Sequence, residues 1–532
     1  MSFFNKNTKI AMPIIIAISL TLGMLIQKKF DVNNIKYINQ PQQYSSTKIN
    51  DVLNYIDKEY VDTVNIDSIV EKTIPTILKE LDPHSIYIPA KDVETVNEPL
   101  TGKFEGIGVQ FNIQKDTITI IKTIFGGPSE KIGLKDGDRI VTINDSIVAG
   151  IKITNNKVIK LLRGKKGTKV NVGIYRRGEE KLLPFTITRD AIPLYSVDVS
   201  YMLNKKTGYI KISKFAASTY KEFQQAVIKL KKSGMENIIV DLRGNGGGFL
   251  NAAINIADEF LEKGKLIVYT EGRAREKTSY YSTNRELCAN LKVTILIDEW
   301  SASASEIVSG AIQDNDRGLI IGRRSFGKGL VQEPVVFKDG SAMRLTIARY
   351  YTPSGRCIQR SYKDGEDAYY EDIYKRYTDG ELLDKDSIVL PDSLKYYTTK
   401  GRVVYGGGGI MPDKFIPVDT SGVTDYLTKI RRKGLEYQFS FDFTDSNRKK
   451  LKSFKNLKDL EVYLSKQDLL NKFVKYASKK GVKENKNDIE VSGETIEIQI
   501  KALIARNIFD NDGFYPIIKD IDKTLLEAIS LQ

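Results

Sequence analysis

VTILIDEWSASASEIVSGAIQDNDRGLIIGRRSFGKGLVQ, running from Val293 to Gln332, is the stretch on which the fold turns. Its opening VTILI is rich in β-branched residues and free of charge, the pattern of a buried strand. Small hydroxyl residues from Ser301 to Ser305 then form a strand-to-helix turn, and Ile307, Val308 and Ile312 share one helical face. A second apolar strand, GLIIG, runs into Ser325-Phe-Gly-Lys328-Gly. A helix N-terminus carries unpaired main-chain N–H groups, so a serine there lies beside a place for a developing oxyanion. If both strand ends share one rim of an α/β sheet, that serine and Lys328 meet. The pattern predicts a serine nucleophile served by a lysine base.

The base is constrained by composition, because the 532-residue chain holds a single histidine, His84. It follows a proline in LDPHS, far upstream, where a capping or packing role is expected. A lysine can replace histidine as base only if burial favours its neutral form, and Leu319–Ile321 and Phe326 provide apolar flanks. Two cysteines, Cys288 and Cys357, are too few for a disulfide framework, and with one histidine they exclude the usual zinc-ligand sets. The net charge of +14 comes with no nucleic-acid motif, and a generally basic surface is expected.

SASASE at Ser301–Glu306, FGKG at Phe326–Gly329 and DLRGNGGG at Asp241–Gly248 resemble the carboxy-terminal processing (tail-specific) serine proteases. The resemblance extends from about Tyr44 to about Asp419. It implies that Ser303 is the nucleophile, Lys328 the general base and Gln332 the lysine's support. It also implies an oxyanion hole made of main-chain N–H groups of Gly246, Gly247 and Ala304, with no metal or organic cofactor. Asp314 matches a position tied to activity in that family, although an exposed helix-end carboxylate fits it equally well. Arg243 is expected in a structural ion pair, Cys357 in a structural role, and Glu306 at the helix N-terminus, where its charge is favourable.

Three other motifs fail on inspection. Gly322–Gly329 nearly spells a phosphate loop but ends in glycine where a hydroxyl should bind magnesium. In GNGGG, Gly244 and Gly246 are followed by Phe249, which breaks the dinucleotide fingerprint. Ser325-x-x-Lys328, Ser282-x-Asn284 and Lys206-Thr-Gly208 mimic the penicillin-binding set in reversed order.

The rest of the chain suggests a multidomain α/β protein. Ile10–Ile26 is an uncharged apolar run of roughly 26 Å as a helix, and no small-residue cleavage pattern follows it. Residues 1–27 are therefore expected to be a signal anchor or transmembrane helix, and 28–47 a linker. An N-terminal helical region spans 48–101, with Val52, Ile56, Ile69, Ile74, Ile77 and Leu78 at helical spacing. Residues 102–189 resemble a PDZ domain, β-rich with helices. Its GIGV loop (Gly106, Ile107, Gly108, Val109) would cradle a peptide carboxylate while the peptide adds a strand. An α/β Ser-Lys protease core covers 190–420, within which Tyr369–Asp392 is expected as a surface insertion. A mostly helical C-terminal extension covers 421–532, with at least one strand suggested by the alternation in ETIEIQI.

The resemblance implies a serine endopeptidase that takes proteins with apolar C-terminal tails at its PDZ domain and processes envelope proteins. It implies an inner-membrane-anchored, periplasmic location, or secretion to the periplasm if the leader is cleaved. A homo-oligomer, dimer or higher, is expected, with room for an adaptor or activator protein and no nucleic acid. The alternative is a catalytically inactive PDZ scaffold, which would have no need of Ser303, Lys328 and Gln332 together.

Overall fold

The computed structural model describes residues 46–532, so the apolar run Ile10–Ile26 and most of the expected linker lie outside the described residues. Among the described residues no helix is long and apolar enough to cross a membrane. The chain divides into two compact units, Met1–Thr73 and Ile74–Gln532. In the first, the helix Ser46–Glu59 leaves Ile49, Val52 and Tyr55 exposed, and a second helix, Ile66–Lys79, begins.

The second unit starts with the turn Leu81–Ser85, a short strand β1 (Ile86–Ile88), a helix Val93–Thr101 and β2 (Lys103–Gly106). Six strands follow: β3 (Val109–Gln114), β4 (Thr117–Thr123), β5 (Arg139–Ile143), β6 (Ser146–Ile147), β7 (Lys169–Tyr175) and β8 (Leu183–Thr188). They form an antiparallel sheet in the order β3-β4-β5-β7-β8, with β6 against β5. Along β7, Val170, Val172 and Ile174 are buried while Lys169, Asn171 and Tyr175 are exposed, the two-residue period of a half-buried strand. Their inward side chains meet Val158 and Leu162 of the helix Asn155–Leu162 in one core. β9 (Asp190–Pro193) pairs with β2, so the chain enters and leaves this domain through one ladder.

The central layer is a six-stranded sheet. β10 (Val197–Met202) runs antiparallel to β11 (Thr207–Ile212), which pairs in parallel with β12 (Asn237–Asp241). A hairpin of β13 (Leu266–Gly272) and β14 (Arg275–Tyr281) intervenes. The sheet then continues in parallel with β15 (Lys292–Ile297) and β16 (Gly318–Gly322). β17 (Leu330–Val336) and β18 (Ala342–Tyr351) leave it, and β1, β18, β13 and β14 make a second, antiparallel sheet with β17 against β18. A hairpin of β19 (Lys395–Tyr397) and β20 (Val403–Tyr405) precedes β21 (Lys414–Phe415), which completes the central sheet beside β16.

Alternation along the strands explains the layering. Ile238, Val240, Val293, Ile295 and Ile297 face the helices Thr219–Lys232, Leu250–Asp258 and Ala304–Asp314. Ile239 and Leu296 face the other way, against Leu525 and Ala528 of the final helix Lys523–Ser530. The tail after Ser421 thus covers one face of the central sheet. It has its own core, in which Ile496, Ile500 and Ile504 of the long helix Lys486–Phe509 are fully buried. That helix contains ETIEIQI, so the strand expected there is not formed.

The tail also touches the β3–β8 domain. Arg139 pairs with Asp445 at 3.0 Å and Lys452 with Asp136 at 3.1 Å, and Lys122 bonds Asp510. Residues Tyr369–Asp392 lie largely at the surface, as expected, but are anchored to the core. They begin inside the helix Glu366–Thr378, whose Tyr369, Ile373 and Arg376 are buried.

Candidate active site

Ser303 stands between β15 and the helix Ala304–Asp314, with φ +55° and ψ −111°. A non-glycine residue in that region is strained and needs surroundings that hold it. Here they do. Ala302 N donates to Asn245 O at 3.0 Å, and Ser305 Oγ donates to the same oxygen at 2.8 Å. Ser301 Oγ donates to Leu242 O at 2.9 Å. Each bond ties the serine turn to the glycine turn after β12. Asn245 is the joint: fully buried, it donates from Nδ2 to Ile212 O and accepts Gly247 N at Oδ1, both at 2.9 Å.

Gly247 packs directly on the serine turn. A Cβ there, at φ +100°, would fall 2.8 Å from Ser303 Cβ and 3.0 Å from Ala304 N, so only glycine fits. Gly246, Gly247, Ser303, Ala304, Lys328 and Gln332 all line one cavity of about 1400 Å³. Its far wall is the second sheet, with Leu330, Ile347, Ala348 and Tyr350 supplying apolar surface. The Ala304 N–H, in the first turn of its helix, has no acceptor among the described residues, whereas the Gly247 N–H is engaged by Asn245.

Lys328 reaches the cavity from the loop between β16 and β17. Its Nζ donates to Gln332 Oε1 at 3.1 Å, and Gln332 Nε2 in turn bonds His84 O. No hydrogen bond joins Lys328 Nζ to Ser303 Oγ in this arrangement of the described residues. Burial lowers the Lys328 pKa from its usual value. Asp82 and Glu306 oppose that shift by their charge, and Arg344 reinforces it.

Two buried groups fasten serine and lysine to each other. Glu306 accepts from Ser303 N (2.8 Å), Gly327 N (2.7 Å), Lys328 N (2.9 Å) and Ser325 Oγ (2.5 Å). Fully buried, its carboxyl is pushed up to about 6 by desolvation, against which those donors work. The Tyr350 hydroxyl reaches both Lys328 O (2.6 Å) and Ser303 O (3.1 Å).

A second ring of contacts fixes the lysine loop. Arg376 donates to Ser325 O at 2.8 Å and Phe326 O at 3.2 Å, and pairs with Asp372 at 2.9 Å. The Arg360 guanidinium lies between the rings of Phe326 and Tyr369, 3.9 and 4.0 Å from their centroids. His84 Nε2 meets Tyr369 Oη at 2.9 Å, and burial first, then the Lys328 charge, pushes its pKa down to about 3. The imidazole therefore has the packing role expected for it, and stays neutral near pH 7.

Asp314 is not an exposed helix-end carboxylate. It is buried, pairs with the wholly buried Arg356 at 2.8 Å and accepts Ser354 Oγ at 2.7 Å. Arg243 is ion-paired as expected, to Asp241 and to Asp522 of the tail, each at 2.6 Å. In the β3–β8 domain, Gly108 takes φ +71°, Ile107 is buried, and Ile107 O and Gly108 O accept Ser129 N (3.1 Å) and Ile124 N (2.9 Å). Gly106 closes β2, and Val109 opens β3, an edge strand of its sheet. Sequence reasoning missed Asn245, Tyr350 and Arg376. Asn245 sits inside the quoted glycine motif and could have been found, but nothing in the local pattern marks the other two.

Residues 206–365 match peptidase family S41 and residues 106–187 match the PDZ domain family. The chain carries the domain pair of the PDZ-containing carboxy-terminal processing proteases. Residues 426–510 match a family of unknown function, DUF8443. Among curated relatives, the carboxy-terminal processing protease CtpB of Bacillus subtilis is 36% identical over 316 residues, 59% of this chain and 65% of that protein. A probable CtpA-like serine protease of Staphylococcus epidermidis is 35% identical over 324 residues, 60% of this chain and 65% of the relative. The chain thus spans just under two thirds of the length of these relatives. Among solved structures, a photosystem II D1 C-terminal processing protease aligns with 71% of this chain and 95% of its own. The identity is 22% and the TM-score 0.36.

Proposed function

We propose that this chain is a serine endopeptidase that takes protein C-terminal tails at its PDZ domain and cleaves them with Ser303 and Lys328. The observation that carries the reading is the partly buried Lys328, held by Gln332 in the same cavity as a serine at a helix N-terminus. Burial favours the neutral amine, the form able to accept a proton.

In the proposed reaction, Ser303 Oγ attacks the scissile carbonyl carbon and its proton passes to Lys328 Nζ. The oxyanion is met by the Ala304 N–H and by an amide of the glycine turn, either Gly246 or a Gly247 released from Asn245. The peptide C–N bond then breaks, and the departing amine carries away the proton from Lys328. Water repeats the sequence on the acyl-enzyme: it gives a proton to Lys328, its oxygen joins the carbonyl carbon, and Ser303 Oγ leaves and is reprotonated. On the PDZ side, an apolar tail would extend β3, with its carboxylate at the Gly106–Val109 loop. Envelope substrates and anchorage through Ile10–Ile26 complete the proposal; cell fractionation tests the location.

The test is cleavage of an unfolded reporter ending in apolar residues by the intact chain, Ser303→Ala and Lys328→Ala. Only the unaltered chain should cut, with each variant at least about a thousandfold slower. Undiminished cleavage by either variant refutes the Ser-Lys assignment, and tail binding without cleavage by all three favours a scaffold.

A further inference from the structure

The lysine's surroundings include one segment from far upstream, the turn LDPHS. We propose that this turn supplies two positioning residues to the lysine base: Asp82, as its counter-charge, and His84, whose main-chain carbonyl fixes Gln332. The inference rests on the Ser-Lys reading above and adds to it a support that none of the three motifs contains.

The geometry is closed on itself. Thr346 lies directly across the β17–β18 ladder from Gln332. Thr346 Oγ1 donates to Asp82 Oδ1 at 3.1 Å, and Thr346 N donates to Ser85 Oγ at 3.1 Å. Asp82 in turn shapes the turn, accepting His84 N (2.8 Å), Ser85 N (2.9 Å) and Ser85 Oγ (2.6 Å). The turn so shaped presents His84 O to Gln332 Nε2, which leaves Gln332 Oε1 free to accept from Lys328 Nζ. An amide whose NH₂ end is occupied cannot flip, so the lysine always meets an oxygen. The strand β1 pairs with β18, and Tyr370 Oη donates to Pro83 O at 2.9 Å, holding the turn from both sides.

Asp82 is buried and its charge is felt at Lys328. The charged groups facing the lysine are Asp82 from the turn, Arg344 from β18 and Glu306 from the nucleophile's helix. His84 and Tyr350 also face it, the first neutral near pH 7 and the second raised far above its usual range by burial. Of the two anions, Glu306 is committed to four hydrogen bonds with the two loops, and Asp82 is the one carried by the turn that holds Gln332. When Lys328 takes the serine proton it becomes an ammonium in a partly desolvated site, and a facing carboxylate stabilises that form.

Asp82→Asn separates charge from shape, because the amide oxygen still accepts the two main-chain N–H groups. Removing the carboxylate favours the neutral lysine. The acid limb of the pH–kcat profile should therefore move to lower pH, by about one unit. The plateau should fall roughly tenfold with KM little changed, since the new ammonium has lost its partner. The Lys328 midpoint should move by the same amount when read by 13Cε-lysine NMR in Ser303→Ala chains and assigned by its loss in Lys328→Arg. Asp82→Glu, which keeps the charge, should bring the midpoint back towards its original value. A Lys328 midpoint equal in Asp82→Asn and its parent overturns the proposal, whatever the rates do. Absence of Ser303-dependent cleavage in the unaltered chain instead overturns the protease reading, and the NMR comparison still judges Asp82.

Discussion

Glu306 shows how much a single residue is asked to do here. Its carboxylate is wholly buried, yet it receives donors from both the nucleophile turn and the lysine loop. Burial raises its pKa from 4.5 to about 6 in the folded chain, so the folded state holds a proton that the unfolded state releases earlier. That contribution to stability is complete below about pH 4.5 and disappears as pH rises through about 6, an effect of about 2 kcal/mol. Chemical denaturation of the intact chain and of Glu306→Gln between pH 4.5 and 7 checks it. The variant should lack that slope, and equal slopes would assign the raised value to something else. The same substitution sets an amide NH₂ against main-chain donors, so activity should fall at least tenfold, as expected for about 1–3 kcal/mol of lost hydrogen bonding. The role expected for Glu306 from sequence, a favourable charge at a helix N-terminus, is present but is the smaller part of what it does.

At the level of elements, the sequence was most legible where period and punctuation agreed. β12, β15, β16 and the helix Ala304–Asp314 lie where apolar runs, small residues and glycines put them. It was least legible where burial contradicted composition. ETIEIQI alternates like a strand, but Ile496, Ile500 and Ile504 recur every four residues, and the surrounding tail helices bury that stripe. Here tertiary packing overrides a local period. The charged, tyrosine-rich run from Tyr369 reads as solvated, but its helix is pinned by Arg376, whose charge is met by Asp372 and by carbonyls of the lysine loop. Paired charges of this kind leave no mark in a hydropathy pattern. Arg376→Ala should destabilise the chain by about 1–3 kcal/mol, because it leaves the buried carbonyls of the lysine loop without their donor, while the partly exposed Asp372 keeps Arg360. A thermal scan with parallel activity assays checks this; a loss under about 1 kcal/mol would return the helix to the status of an unanchored insertion.

On the scale of the whole molecule, the tail from Ser421 onward is a structural member and not an appendage. It covers one face of the central sheet with Leu525 and Ala528 and ties to its rim through Arg243 and Asp522. It also grips the β3–β8 domain, where Asp445 gathers Arg139, Arg177 and Arg448 within 3.0 to 3.6 Å. A double-mutant cycle between Arg139→Ala and Asp445→Ala should return a coupling of roughly 1 kcal/mol, with faster amide exchange in β4 and β5. Additive effects would show that the two domains merely touch. Sequence alone could not foresee this bracing, since each partner lies hundreds of residues from the other. The same long-range assembly has a consequence in time. The site is held together by Asp82 and His84 early in the chain, Asn245 and Ser303 midway, Lys328 later, and Arg376 later still. On a ribosome these pieces emerge one after another, and the loop bearing the lysine, although held by Glu306 and Tyr350, lacks its outer clamp until Arg376 has left the exit tunnel. The cleft cannot take its final shape on a half-made chain, so its birth is also a delay.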